Sequence, residues 1–148
     1  MKGKIRIRDF LPGDLEKILR YREEVARESF PELKMESEKA RKAILSQLEN
    51  HPGTLKVAES EGKPIGYIMF TPKSGSLGKY GRITSIFVER PWRKQGVGAL
   101  LLEEAEKSLL SKGINRIYAE ITNTNKPSLD FFRKSGYKEK RTVVEKRV

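Results

Sequence analysis

Residues 93–98 read Arg-Lys-Gln-Gly-Val-Gly. Two cations stand beside two glycines spaced two apart. A β-branched, apolar stretch, RITSIFV at 82–88, leads into them, and a helix-patterned stretch, ALLLEEAEKSLLSKG at 99–113, leads out. A strand running into a helix start is a natural anion trap. The first amides of a helix have no partner within it, and the helix dipole favours negative charge there. Glycine lets a phosphate approach the backbone closely, and Arg93 can grip phosphate oxygens in a bidentate way.

Two common phosphate motifs do not fit. A P-loop needs Lys-Ser or Lys-Thr at the second glycine, where this chain has Gly98 followed by Ala99. A dinucleotide-binding turn needs a third glycine, and that position is Leu101. An ordinary basic loop is the competing reading of 93–98 alone.

The surrounding elements must position this junction. KIRIR (4–8) alternates as a strand. FLPGD turns the chain, with Asp14 placed to N-cap a helix carrying Leu15, Ile18, Leu19, Val25 and Ala26 on one face. A second helix is predicted from about Glu36 to Glu49. TLKVAE and PIGYIMF, joined by SEGK, read as a hairpin. TPKSGSLGKYG (71–81) reads as a Gly/Ser-rich loop. A helix with Val97, Leu101, Ala105 and Leu109 on one stripe stops at Gly113, and a strand within KGINRIYAEIT follows. PSLDFFRKSG is a short helix with Pro127 in its first turn and Gly136 at its end. YKEKRTVVEKRV should be a final strand. The order β-α-α-β-β-β-α-β-α-β implies a mixed sheet with helices on both faces.

Composition narrows the class. One domain spanning 1–148 is the expectation for 148 residues, with 36% apolar and 34% charged residues. No apolar run suits a membrane span, and no signal-peptide pattern opens the chain. There is no cysteine, which excludes disulfides, thiolate nucleophiles and zinc–sulfur sites and favours a cytoplasmic setting. The single histidine, His51, precedes Pro52 in a predicted turn, so no metal site is expected. A net charge of +11 suits an anionic partner, nucleic acid or a phosphate-bearing ligand, but equally a solvated ion-rich surface. The charge is spread along the chain and no aromatic-rich nucleic-acid motif appears. A basic RNA-binding module is therefore the alternative reading, not the main one.

A second segment, NKPSLDFFRKSGY at 125–137, follows one strand later. Together the two resemble the GNAT superfamily of N-acetyltransferases. Arg93, Gly96 and Gly98 match the family's pyrophosphate loop. Asn125, Ser128, Phe131, Phe132, Lys134, Gly136 and Tyr137 occupy the places of its second motif. The resemblance implies a GNAT-like α/β (α+β) fold: a mixed, mostly antiparallel sheet of six or seven strands, about four helices, and a splayed strand pair at the cofactor site. It implies acetyl-CoA as co-substrate, an amine acceptor (a protein N-terminus or a small molecule), no metal and no membrane, in a monomer or homodimer.

By the same resemblance, backbone groups of Ile86, Phe87 and Val88 bind the pantetheine arm, and Arg93 with the amides of Lys94, Gln95, Gly96, Val97, Gly98 and Ala99 holds the pyrophosphate. Asn125 contacts the arm, and Ser128 and Phe132 lie near the cofactor. The reaction is direct attack of a neutral amine on the thioester. The N–H of Val88 is the expected oxyanion donor. The family's frequent tyrosine acid is replaced here by Phe132, which has no proton to give. That leaves water, another tyrosine, or a coenzyme-binding sensor without catalysis. RITSIFV holds no carboxylate, and Glu120 is the candidate base, with a solvent-facing strand residue as its competing reading. A weak base suits α-amines, whose pKa is about 7.7–8.0, better than lysine at about 10.4. RITSIFV also looks like the corresponding strand of protein N-terminal acetyltransferases.

Overall fold

The computed structural model describes residues 3–148. Strand β1 (Ile5–Asp9) is followed by helices α1 (Leu15–Ser29) and α2 (Ser37–Asn50). Strands β2 (Leu55–Ser60), β3 (Lys63–Gly75) and β4 (Gly78–Val88) form a meander. Helix α3 (Val97–Leu110), strand β5 (Ile117–Ala119) and helix α4 (Lys126–Lys134) complete the fold. The sheet order is β1-β2-β3-β4-β5, antiparallel except for the parallel β4–β5 pair.

Strand alternation sends side chains to two cores. Val57, Tyr67, Met69 and Phe87 face Ile18, Leu19, Tyr21 and Ile44 of α1 and α2. Ala58, Ile68, Phe70 and Ile83 face Val97, Leu101, Ala105 and Leu109 of α3 and Phe132 of α4. The α3 stripe expected from sequence is the buried face of that helix, and each of its valine and leucine side chains contributes about 1.5–3 kcal/mol by leaving water.

The hairpin between β2 and β3 turns at Glu61 and Gly62, with φ of 52° and 77°. Two successive positive φ values match the right-handed strand twist, and only the second carries a glycine.

Four expectations are corrected. Among the described residues the sheet has five strands, not six or seven. The stretch 71–81 is not a loop: β3 runs to Gly75 and β4 begins at Gly78, so Ser74, Gly75 and Gly78 lie in an exposed two-stranded ladder. Cross-strand pairing overrides their weak strand preference. The last segment, 138–148, forms no strand and is exposed throughout, because no sheet edge of its own chain pairs with it. Finally, Asp14 makes no side-chain cap bond to α1. Its carboxylate accepts two bonds from Arg8 at 2.8 and 3.0 Å and one from the Leu11 N–H at 2.8 Å, tying β1 to the start of α1. Burial raises the Asp14 pKa, but the Arg8 guanidinium and the Leu11 amide outweigh it and hold the carboxyl below its usual value.

Candidate active site

The site begins with one extra residue in β4. Phe70 of β3 pairs with Ile83 and Met69 with Ser85, so Thr84 has no opposite number and forms a β-bulge. Its hydroxyl donates to the Met69 carbonyl at 2.9 Å. A bulge bends its strand and increases local twist. The pairing of β4 with β5 stops just before it, at Ile83 with Ala119. Beyond the bulge, β4 runs on to Val88 with β3 on one side and, among the described residues, no strand on the other. This is the splayed strand pair expected from the resemblance.

Alternation then decides which backbone groups face the gap. The Glu89 N–H donates to the Ile65 carbonyl at 2.8 Å, so residue 89 points toward β3. Ser85 and Phe87 share that direction, and the N–H and C=O groups of Ile86 and Val88 point the other way. Of the three residues expected to present backbone, Ile86 and Val88 do so and Phe87 is turned to β3. Phe87 contributes its ring instead, buried and stacked on Tyr21 at 4.6 Å.

Arg93 closes the end of this strand. Its Nε donates to the Val88 carbonyl at 2.7 Å, its guanidinium lies 5.2 Å from the Phe87 ring centre, and Nη2 stands 3.9 Å from Glu28 of α1. The side chain is thus a clasp between β4, α1 and the loop. It is not extended freely toward the loop's amides.

The loop itself turns through Lys94 (φ 60°) and Gly96 (φ 84°). Gly96 is the N-cap of α3, and a Cβ added there would meet no atom within 4 Å. Its requirement is conformational, and the space above it is open. Leu100 is the first residue whose N–H returns to the turn, donating to the Gly96 carbonyl at 3.1 Å. The amides of Val97, Gly98 and Ala99 precede it and are the orphan donors of the helix start. The Val97 side chain is buried in the core, whereas Lys94, Gln95 and Ala99 are exposed. Gln95 returns to the Pro91 carbonyl at 2.8 Å and stiffens the loop. Gly98 has a packing reason: a Cβ there would stand 3.0 Å from the Phe131 ring. The second glycine thereby lets α4 lie against the first turn of α3.

Asn125 is the N-cap of α4, its Oδ1 accepting the Ser128 N–H at 3.3 Å. These two residues of the second motif therefore build the helix start, and both are half-buried. Phe132 is 4% exposed and packs edge-on against Phe131 and Tyr137 at 5.1 and 5.2 Å. Its side chain belongs to the core. Tyr137 donates to Glu106 of α3 at 2.8 Å, and burial, reinforced by that carboxylate, raises its pKa. Tyr67 is fully buried against Ser85 of β4, and burial pushes its phenol up to about 12.

Glu120 follows β5. It is exposed and lies 3.2 Å from Arg82. Tyr80 and Tyr118 meet edge-on beside this pair at 5.7 Å. Gly81 faces Leu109 of α3, so Tyr80 and Arg82, on either side of it along β4, point to the opposite, α1 side of the sheet. Among the described residues no cluster of His, Cys, Asp or Glu could hold a metal ion, and no helix is long and apolar enough to cross a membrane.

Three features escape a reading of the sequence: the Thr84 bulge, the Arg93–Val88 tie and the Gly98–Phe131 contact. The bulge is set by register between strands and carries no composition signal. The small residue at 98 opposite an aromatic five residues before Gly136 is the one cue that the spacing offers.

The chain resembles known proteins throughout. A family model for the acetyltransferase (GNAT) family matches residues 16–137. An N-alpha-acetyltransferase of Sulfurisphaera tokodaii is 27% identical, with 93% of this chain and 83% of that protein covered. A putative phosphinothricin acetyltransferase of Bacillus subtilis is 38% identical over 57% of this chain and 53% of its own length. A putative acetyl transferase from Pyrococcus furiosus superposes with a TM-score of 0.79 at 22% identity, covering 98% of this chain and all of that one. With its bulged β4, its gap and its loop–helix start described by the same span that the family model covers, the chain belongs to the GNAT family of acetyltransferases.

Proposed function

We propose that this protein transfers the acetyl group of acetyl-CoA to an α-amine, that of a peptide or protein N-terminus. The observation that carries the reading is continuity. The gap-facing backbone of Ile86 and Val88 leads through the Arg93 clasp into the orphan amides of α3. One extended ligand with amides at one end and phosphates at the other would meet both sets of groups. The residues present fit the coenzyme: donors and acceptors alternate along β4, Gly96 leaves open space, and Lys94 adds positive charge.

The thioester supplies the activated acyl group, and the chain supplies position and charge stabilisation. The gap-facing amides of Ile86 and Val88 divide between the pantetheine arm and the reacting carbonyl, where an N–H donor opposes the growing negative charge. The Val88 N–H is the proposed oxyanion donor, and Arg93, bonded to the carbonyl of the same residue, holds the strand end in place. Arg93 acts on the strand end and, through its exposed edge, on the pyrophosphate. Lys94 to Ala99 contribute amides, and Asn125 and Ser128 hold α4 against the loop.

Proton transfer rests on modest help. Phe132 cannot act as an acid, and Tyr137 is committed to Glu106. A thiolate with a pKa near that of cysteine, about 8.5, takes its proton from water near neutral pH, so loss of a dedicated acid lowers the rate without removing the reaction. Glu120 is the proposed base, sharing its carboxylate with Arg82. An α-amine is partly neutral at pH 7, which fits an exposed and shared base. The similarity to an archaeal N-alpha-acetyltransferase supports this acceptor class.

A peptide carrying both a free N-terminus and an internal lysine, incubated with acetyl-CoA and fragmented in a mass spectrometer, tests the reading. Acetyl on the N-terminus is expected. Transfer to lysine alone, or to small amines such as phosphinothricin alone, would replace it.

A further inference from the structure

On the α1 side of the sheet, guanidinium groups gather where the gap opens. Arg22 of α1 is half-buried, and the one hydrogen-bond partner of its guanidinium among the described residues is the Met69 sulfur of β3, at 3.5 Å. A thioether is a weak acceptor. Glu16, Glu23 and Glu28 of the same helix are each taken by another arginine: Arg41, Arg27 and Arg93. Among the described residues Arg22 has no carboxylate partner. A half-buried cation without an anion is unfavourable in the free protein.

Register places this guanidinium. Met69 pairs with Ser85, the residue after the Thr84 bulge, and the Ser85 hydroxyl bonds to that of Tyr67. Burial raises the Tyr67 phenol, and the Ser85 bond and the Arg22 charge act against that rise, so Arg22 stands close to the hydroxyl pair. Arg22 therefore lies over β3 and β4 just past the point where β5 leaves. Arg82 comes from the other side of the bulge, on the same α1 side, as does Tyr118 opposite it on β5. One edge of its guanidinium meets Glu120 at 3.2 Å, while its Nε is buried without a hydrogen-bond partner. Buried donors are rarely left unpaired. Arg141 adds a third guanidinium, 5.2 Å from the Tyr118 ring centre. Of the three, only Arg82 has a carboxylate among the described residues.

We infer that, the acceptor being a peptide α-amine as proposed above, its first residue is acidic, and that the aspartate or glutamate carboxylate settles between Arg22 and Arg82. The amine goes to Glu120, and Arg82 touches the same Glu120. A carboxylate held beside Arg82 is thus only a few bonds from the amine, the reach of the first side chain. It gives Arg22 the acceptor it lacks and offsets the excess of positive charge. Arginine suits the task because its fork of donors matches a carboxylate. A lysine or arginine in the first position would meet like charge.

Two peptides that differ only in their first residue, Asp or Asn, compete for the full chain with acetyl-CoA, and mass spectrometry reads the ratio of their kcat/KM values. Asp is expected to be favoured about 10- to 100-fold, the worth of a hydrogen bond between charged groups, and Arg22→Gln should bring the ratio to about one. Equal use of both peptides by the wild type, or a ratio that Arg22→Gln leaves unchanged, would overturn the inference while leaving N-terminal transfer in place. Transfer to neither peptide, with or without acetylation of free amino acids in their stead, would overturn both. Should Arg22→Gln fail to fold, Arg22→Met keeps the packing of the stem and removes the guanidinium, and its ratio decides.

Discussion

The guanidinium of Arg93 donates to the carbonyl of Val88 at 2.7 Å, fastening the loop before α3 to the last residue of β4. The strand that ends in the gap and the loop that starts the helix are thus one rigid unit. A charged donor on a backbone carbonyl contributes about 1.5–3 kcal/mol. Arg93→Met should lower kcat/KM about 10- to 100-fold, with kcat falling as well as the affinity for acetyl-CoA, because the Val88 amide moves with its carbonyl. Steady-state kinetics over both substrates checks this. A change in KM for acetyl-CoA alone would assign Arg93 to phosphate charge and not to the strand end.

Gly96→Asp should weaken acetyl-CoA binding about 100-fold or more in calorimetry. Gly96 has φ of 84°, which costs a side chain about 1–3 kcal/mol, and the carboxylate would add repulsion toward the pyrophosphate. Since nothing lies within 4 Å of the new Cβ, the variant should remain folded by circular dichroism. Unchanged affinity would remove the loop from the coenzyme site.

Phe132→Tyr places a hydroxyl in a core position that is 4% exposed. The expected outcome is a loss of about 1–3 kcal/mol of stability from burying that group unpaired, and no gain in kcat. Thermal melts and a kcat–pH profile test it. A tenfold faster enzyme with a new alkaline limb would show that the hydroxyl reaches the gap.

Acid should act through Asp14. Its folded pKa is depressed below the unfolded value of about 3.9, so its contribution is present above about pH 4 and is lost as pH falls through the folded value. Glu59 is depressed in the same direction, by its bonds to Arg8 and Arg6 against the opposing effect of burial. Asp14→Asn should therefore melt lower at pH 7, by roughly 3 kcal/mol at most, and lose less on acidification than the wild type. Urea titrations between pH 7 and pH 3 read both effects.

Much of the fold is legible in the sequence because its signals are local. The α3 stripe of Val97, Leu101, Ala105 and Leu109 fixes a helix face, and Pro127 and Gly136 bracket α4 within a residue or two. The glycine turn and orphan amides at 96–99 are equally local, since they are properties of a strand–helix junction. What depends on register is not legible. Thr84 is a bulge only because Met69 and Phe70 pair with residues on either side of it. Asp14 looks like a cap until Arg8, on a different element, claims its carboxylate. The ladder at 71–81 and the unpaired tail fail for opposite reasons: pairing makes a strand of Gly and Ser, and its absence leaves valines without one.

Residue-resolved amide hydrogen exchange, with and without saturating acetyl-CoA, tests the central claim most directly. The account predicts new protection at Ile86 and Val88, whose amides face the gap, and little change at Ser85 and Phe87, already turned to β3. Exchange at Ile86 and Val88 that stays the same while acetyl-CoA is bound would contradict it.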